Sequence, residues 1–311
     1  MQFESAWNDY WQQGFDDCLP DDKAMRLALT QFWHEQLEQI TFAQRISRIV
    51  ELGCGAGFLT TILLKHIENN QYATEIFALD YSDQAVLEQL WQRSSLKSAS
   101  AIQLLPNRSI ENTELDSACA QLVCANYAFE YADRAKAVAE VARILSQNGQ
   151  FMLFCHHEGG ALSTLNQQIV AALDVLLADT DLLAKFAVFF SETSPELSPQ
   201  SYVSQAKELI NALHDIDTRW HGGLQKSGFI EALLPLFRPN NRQVGTLWRQ
   251  LVSSYAQYNV RIKHQLLAQL DEKHVSQLHD LFAVNQCELA SVEQFQWQGN
   301  TIGVMLKGFK K

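Results

Sequence analysis

The chain is short of basic charge. Its 24 lysines and arginines stand against 35 aspartates and glutamates, a formal net charge of −11. A nucleic-acid backbone or an anionic membrane calls for a cationic surface, so neither is expected as the main partner. Paired cysteines are lacking too. The six, at 18, 54, 119, 124, 155 and 287, form no CxxC pair and no close Cys/His spacing of a metal site. They read as reduced, mostly buried thiols of a cytoplasmic protein, with no metal expected. No long apolar run is free of charge. The most apolar stretch, Ala171 to Phe190, carries Asp174, Asp179, Asp181 and Lys185, too many for a membrane span. Met1-Gln2-Phe3-Glu4 has neither a basic start nor an apolar targeting core. Internal repeats and low-complexity segments are absent as well. What is left is an ordinary globular composition, and 311 residues are enough for one large core or two.

The most informative stretch is Gly53-Cys54-Gly55-Ala56-Gly57. It follows a strand-like apolar run, Ile49-Val50-Glu51-Leu52, and precedes a helix-like run from Phe58 to Ile67. A strand that breaks into a glycine turn and returns as a helix makes a nucleotide-type crevice. Glycine allows the sharp turn and a close ligand approach, and the helix N-terminus offers unpaired N–H groups. A dinucleotide fingerprint wants glycine at the first, third and sixth places. Here the sixth place is Phe58, which disfavours a pyrophosphate and with it an NAD-type oxidoreductase. Glu51, two residues before Gly53, suits an ammonium-bearing ligand better than a phosphate. A glycine turn with no ligand is the plain alternative. The pattern Glu51-x-Gly53-x-Gly55-x-Gly57 resembles the first motif of the class I S-adenosylmethionine (SAM)-dependent methyltransferases.

Two later segments extend the resemblance. Glu75-Ile76-Phe77-Ala78-Leu79-Asp80 is a short apolar strand ending in an acid, followed by Tyr81-Ser82-Asp83 and a helix. The carboxyl end of such a strand faces the ligand crevice, and a carboxylate there can accept both hydroxyls of a ribose. In the family this acid binds the ribose, and the next residue, here Tyr81, packs on the adenine. A third strand is expected at Ala101–Leu105. The family often has an acid just after it. This chain has Pro106-Asn107-Arg108-Ser109 instead, so Asn107 or Ser109 would take over that hydrogen bonding.

The run from Ala120 to Cys155 looks like the family's segment from strand four to strand five. Asn126 and Tyr127 match the positions beside the methionine end of the cofactor. An amphipathic helix carrying Ala135, Val138, Ala139, Ala142 and Leu145 is expected to end at Asn148-Gly149, with Gly149 as its left-handed cap. Family members acting on amide or base nitrogens often carry prolines after the asparagine. Asn126-Tyr127-Ala128-Phe129 has none, which argues against a nucleic-acid or protein-amide substrate.

His156-His157-Glu158 then stands at the crevice mouth. Adjacent side chains on an extended chain point to opposite sides, so one histidine faces the crevice. His156 and His157 are therefore the candidate general bases, useful if the acceptor must lose a proton. A polar loop with two surface histidines is the plainer reading. The triplet lacks the i, i+4 spacing of a zinc site.

Near the start, Trp7, Tyr10 and Trp11 share one helix face, and Phe3 and Phe15 flank them. They read first as a packed helix and second as an aromatic lid over the cofactor. Asp16, Asp17, Asp21 and Asp22 precede a periodic helix with Met25, Leu29, Phe32, Trp33, Leu37 and Ile40 on its apolar face. Residues 160 to about 283 are helix-rich and exceed the minimal family fold. Trp220, His221, Trp248, Tyr255 and Tyr258 in this insertion read as core before they read as pocket lining. Two strand-like runs around Gln298-Gly299-Asn300 close the chain as a hairpin.

The resemblance thus implies a Rossmann-like three-layer α/β sandwich. Its seven-stranded sheet would be mostly parallel, with an antiparallel last strand. Residues 1–44 would form an N-terminal helical segment or lid, 45–157 with 284–311 the SAM-binding domain, and 158–283 a helical insertion capping the substrate. The implied activity is methyl transfer from SAM to a small molecule, giving S-adenosylhomocysteine (SAH). A non-catalytic SAM- or SAH-binding regulatory protein is the alternative from another class.

Overall fold

The computed structural model describes residues 7, 10–11, 23–40, 46–92, 96, 99–191, 198–237 and 243–311. Phe3, Phe15, the four early aspartates and Cys18 lie outside them. The chain divides into two compact units, one spanning Leu162–Leu267 and the other Trp7–Ala161 with Ala268–Lys311.

The second unit is built on a sheet. Its elements in chain order are α1 (Lys23–Gln39), β1 (Arg48–Leu52), α2 (Phe58–Asn70), β2 (Glu75–Leu79), α3 (Gln84–Trp91), β3 (Ile102–Leu105), β4 (Ala120–Asn126), α4 (Arg134–Ile144) and β5 (Leu145–Cys155). The chain comes back to this unit after the other one. The strands lie in the order β3-β2-β1-β4-β5-β7-β6, with β6 (Cys287–Trp297) and β7 (Asn300–Lys310) forming the closing hairpin. β3, β2, β1, β4 and β5 run parallel. β7 is antiparallel to both β5 and β6. Strands covered on both faces need continuous apolar sequence, and β1 and β4 are buried along nearly their whole length. The Rossmann-like, seven-stranded sandwich read from the sequence is therefore the fold of this unit.

One boundary differs from the sequence reading. α4 stops at Ile144 and β5 starts at Leu145, so the helix does not run to Asn148-Gly149. The left-handed residue there is Asn148, at φ 60°, not Gly149. Gly149 serves close packing inside the strand, since a Cβ there would lie 2.9 Å from the Ser146 carbonyl oxygen.

The return to the sheet comes earlier than residue 284, because Ala268 onward already belongs to this unit. Helix α11 (Glu272–Val284) starts with a capping box between Asp271 and His274. It lays Phe282 against the sheet, with its ring stacked 4.3 Å from that of Phe151. Both rings are fully buried. Each contributes about 1.5–3 kcal/mol of apolar burial, which is reason enough for the helix to stay with the sheet.

The other unit is helical. It contains α5 (Ala161–Ala178), α6 (Thr180–Phe189), α7 (Pro199–Arg219), the short α8 (Gly223–Lys226) and α9 (Phe229–Leu233), and α10 (Val244–Ala268). Its core gathers Ile169, Leu173, Leu176, Phe186, Phe190 and Trp248. Asp179 caps α6, and Ser198 with Pro199 starts α7. α5 is long and apolar enough to cross a membrane by length and composition alone. Its buried apolar residues, Ile169, Ala172, Leu173 and Leu176, are part of this core.

Candidate cofactor crevice and histidine–glutamate pair

The glycine turn sits at the carboxyl end of β1, where the chain must swing sharply into α2. Gly53 and Gly55 have φ of 69° and 47°, in the left-handed region that favours glycine. A Cβ on Gly53 would lie 2.3 Å from the Cβ of Ala128, and one on Gly55 would lie 2.7 Å from the Trp11 indole. Gly57 begins α2. The turn is tied on both sides. The Cys54 N–H donates to the Leu79 carbonyl at 2.9 Å, and the Trp91 indole N–H donates to the Gly55 carbonyl at 3.0 Å.

Asp80 holds the same turn. Its Oδ2 accepts the Gly55 N–H and its Oδ1 accepts the Ser82 N–H, each at 2.8 Å. Every carboxylate oxygen has a second lone pair, so ligand hydroxyls can still be accepted. The loop after β3 joins this corner. The Arg108 N–H donates to the Asp80 carbonyl at 2.9 Å, and the Asn107 N–H donates to the Ser82 carbonyl at 3.2 Å. Asn107 is itself left-handed, at φ 55°. Tyr81 beside it is 55% exposed, which leaves its ring open to stacking.

Glu51 is 2% exposed, at the inner end of the crevice. The Thr60 hydroxyl, from the first turns of α2, donates to its Oε2 at 2.6 Å. Burial pushes the Glu51 carboxyl up to about 8, and the neighbouring Asp80 adds to the rise against the hydrogen bonds from Thr60.

The ends of β4 and β5 carry the remaining candidates. Asn126 turns its side chain to α1, accepting the Trp33 indole N–H on Oδ1 at 2.8 Å. Tyr127, at φ 54°, donates its hydroxyl to the Ile302 carbonyl at 3.2 Å. Its ring stands edge-on to His156, with centroids 4.1 Å apart. His156 is buried and His157 half-buried, with the Leu270 N–H donating to the His156 carbonyl at 2.9 Å.

Glu130, which the sequence reading passed over, completes this corner. Its Oε1 accepts the His156 backbone N–H at 2.8 Å and lies 3.1 Å from His156 Nδ1. Both side chains are buried. Burial pushes His156 down to about 3 and Glu130 up to about 7, the latter opposed by the His156 backbone N–H. The pair is therefore held toward its uncharged forms. An acid set between aromatics, Phe129-Glu130-Tyr131, was the signal available in the sequence.

The early aromatics run along this same line. Trp7 and Trp11 are stacked at 6.3 Å, Trp7 meets Tyr131 edge-on at 5.3 Å, and Tyr131 meets His156 at 6.0 Å. With Trp11 on Gly55, the rings span from the glycine turn to the histidine. The aromatics suspected of lining a pocket in the helical unit are packed into it. Trp248 stacks on Phe186 at 4.8 Å, and Tyr255 sits edge-on to Phe229 at 5.0 Å. His221 is exposed.

A glycine turn braced by an acid at the end of the adjacent parallel strand lies where open α/β sheets bind their ligands. Residues 50–153, about a third of the chain, match the family described as a methyltransferase domain. That segment of the chain is therefore similar to a methyltransferase domain, and the order of the seven-stranded sheet fits the class I fold. No curated protein matches the chain. Among solved structures it is similar to a candidate sarcosine dimethylglycine methyltransferase from Galdieria sulphuraria, at 12% identity and TM-score 0.46, covering 100% of this chain and 98% of that one. It is similar to the CurJ carbon methyltransferase, also at 12% and 0.46, covering 98% of this chain and 58% of that one. The YcgJ protein of Bacillus subtilis gives 15% and 0.37, covering 91% and 98%.

Proposed function

We propose that this protein transfers the methyl group of SAM to a small organic acceptor whose nucleophilic atom loses a proton in the reaction. One observation carries the reading. Asp80 at the end of β2 clamps the Gly55 amide of the turn that follows β1, while Glu51 lies buried behind that turn. Two carboxyls and a glycine turn suit a ligand with hydroxyls and an ammonium group, and suit a pyrophosphate poorly.

SAM supplies an already activated methyl group, so the chain's task is chiefly positioning. Asp80 takes the ribose hydroxyls, Glu51 the methionine ammonium, and Gly53 and Gly55 admit the cofactor backbone. Tyr81 offers its open ring to the adenine, next to the Asn107 loop. Asn126 contributes through its backbone, since its side chain is engaged by Trp33. Trp7 and Trp11 cover the turn as an aromatic lid. His156 is the base, and Glu130 orients it. With the imidazole proton on Nδ1 toward Glu130, Nε2 is the acceptor nitrogen of the ring. Held down to about 3 by burial, this imidazole is neutral at pH 7 and a weaker base than an ordinary histidine. His157, its neighbour on the extended chain, is given no part.

The acidic charge and the proline-free sequence after Asn126 support a small cytoplasmic acceptor over a nucleic acid. Parallel calorimetric titrations with SAM, SAH and NAD test the reading. Micromolar binding of SAM or SAH and none of NAD is the expected outcome. Binding of NAD alone would replace the methyltransferase reading with an oxidoreductase.

A further inference from the structure

Glu51 is an odd carboxyl to bury. It lies on the central strand β1, paired with Ala78 of β2 and Cys124 of β4, so no solvent reaches it from the sides. Among the described residues its hydrogen-bond donor is Thr60, and no cation is paired with it. The titratable groups facing it are Asp80 from the end of β2, Cys54 from the glycine turn and Cys124 from β4. Both thiols are held far above their ordinary range by burial, and so are neutral. Asp80 differs in kind, because two backbone amides are aimed at its oxygens. Of two neighbouring carboxyls, one has the donors that suit a charge, and the other has a single threonine.

We propose that the crevice exchanges a proton for its cationic ligand at Glu51. The empty site holds the carboxyl protonated, and arrival of an ammonium group releases that proton to solvent. This rests on the SAM reading above, with the ligand's amine as the cation. The balance is simple. A neutral carboxyl and a cation enter, and a carboxylate–ammonium contact and one free proton leave. The rise of Glu51 to about 8 agrees with this geometry. The exchange also keeps two adjacent negative charges from standing in the empty site.

Calorimetry on the full chain tests it. SAM is titrated at pH 6.5 and 7.0, where an α-amine of pKa about 7.7–8.0 is largely charged, in two buffers of different ionisation enthalpy. The apparent binding enthalpy should differ between the buffers by an amount that corresponds to nearly one proton released per SAM bound. Glu51→Gln, close in shape to the protonated acid, should bind SAM at least tenfold more weakly and release none. SAM binding with no buffer dependence in the wild type would overturn the exchange and leave the cofactor assignment standing. Release that persists in Glu51→Gln would also overturn it, because another group would then be the source. Failure of SAM to bind in any buffer would remove the cofactor reading itself.

Discussion

At the scale of single residues, the acids of the crevice do different work. Asp80 shapes the turn, and with the ribose role proposed for it Asp80→Ala should weaken SAM binding by about 1–3 kcal/mol, the scale of lost charged hydrogen bonds. An unchanged dissociation constant in the calorimeter would remove it from the ribose site. Glu130→Gln keeps the shape of the histidine's partner and removes its ability to ionise. It should lower kcat about 10-fold or more and leave the SAM dissociation constant within twofold, as single-turnover and binding measurements together would reveal. A variant that lost SAM binding instead would mark Glu130 as part of the scaffold. The legibility of these residues follows from their sequence context. Glu51, Gly53, Gly55, Gly57 and Asp80 stand at fixed places relative to strand ends. Glu130 does not, because its role depends on meeting His156 across β4 and β5, a contact that local pattern does not record.

Among elements, the glycine turn is the least tolerant. A methyl on Gly53 meets Ala128 at 2.3 Å and adopts φ 69°. Gly53→Ala should cost about 2–4 kcal/mol of stability, read as a lower urea midpoint, since the added strain and the backbone-rooted clash have no flexible side chain to absorb them. Gly299→Ala, in the β6–β7 turn with open space around it, should cost about 1 kcal/mol from its positive φ alone. The strands, the parallel order implied by the resemblance and the closing hairpin were all legible, because their burial pattern is written in continuous apolar runs. The end of α4 was not. Asn148-Gly149 has the composition of a helix stop, yet Leu145 to Gln150 gains more by lengthening β5 alongside β4 than by another helical turn. Tertiary pairing overrode a local signal.

For the molecule as a whole, the buried ionisable groups set how stability follows pH. Glu51 and Glu130 are raised to about 8 and about 7, above their unfolded value of 4.5. The folded state therefore binds more protons than the unfolded one across that window, and stability falls as pH rises through it. His156, lowered from 6.5 to about 3, acts in the opposite sense, and its contribution grows as pH rises between those values. The ligand-free protein should be most stable on the acid side of neutrality. Calorimetric Tm should drop from pH 6 to pH 8, and Glu51→Gln should reduce that drop. Saturating SAM at about 100 times its dissociation constant should add about 2.7 kcal/mol.

The position of β7 has a consequence for how the chain reaches this state. β7 lies between β5 and β6, and its contact with the first half of the sheet joins residues as distant as Tyr127 and Ile302, 175 positions apart. Until that strand is in place, β5 presents an unpaired apolar edge while the whole helical unit is still being formed. Closing so long a loop is slow, and exposed strand edges pair with whatever they meet. Refolding from denaturant should therefore show a concentration-dependent loss to aggregates, and a molar excess of a peptide copying Asn300–Lys310 should suppress it by occupying the open edge first.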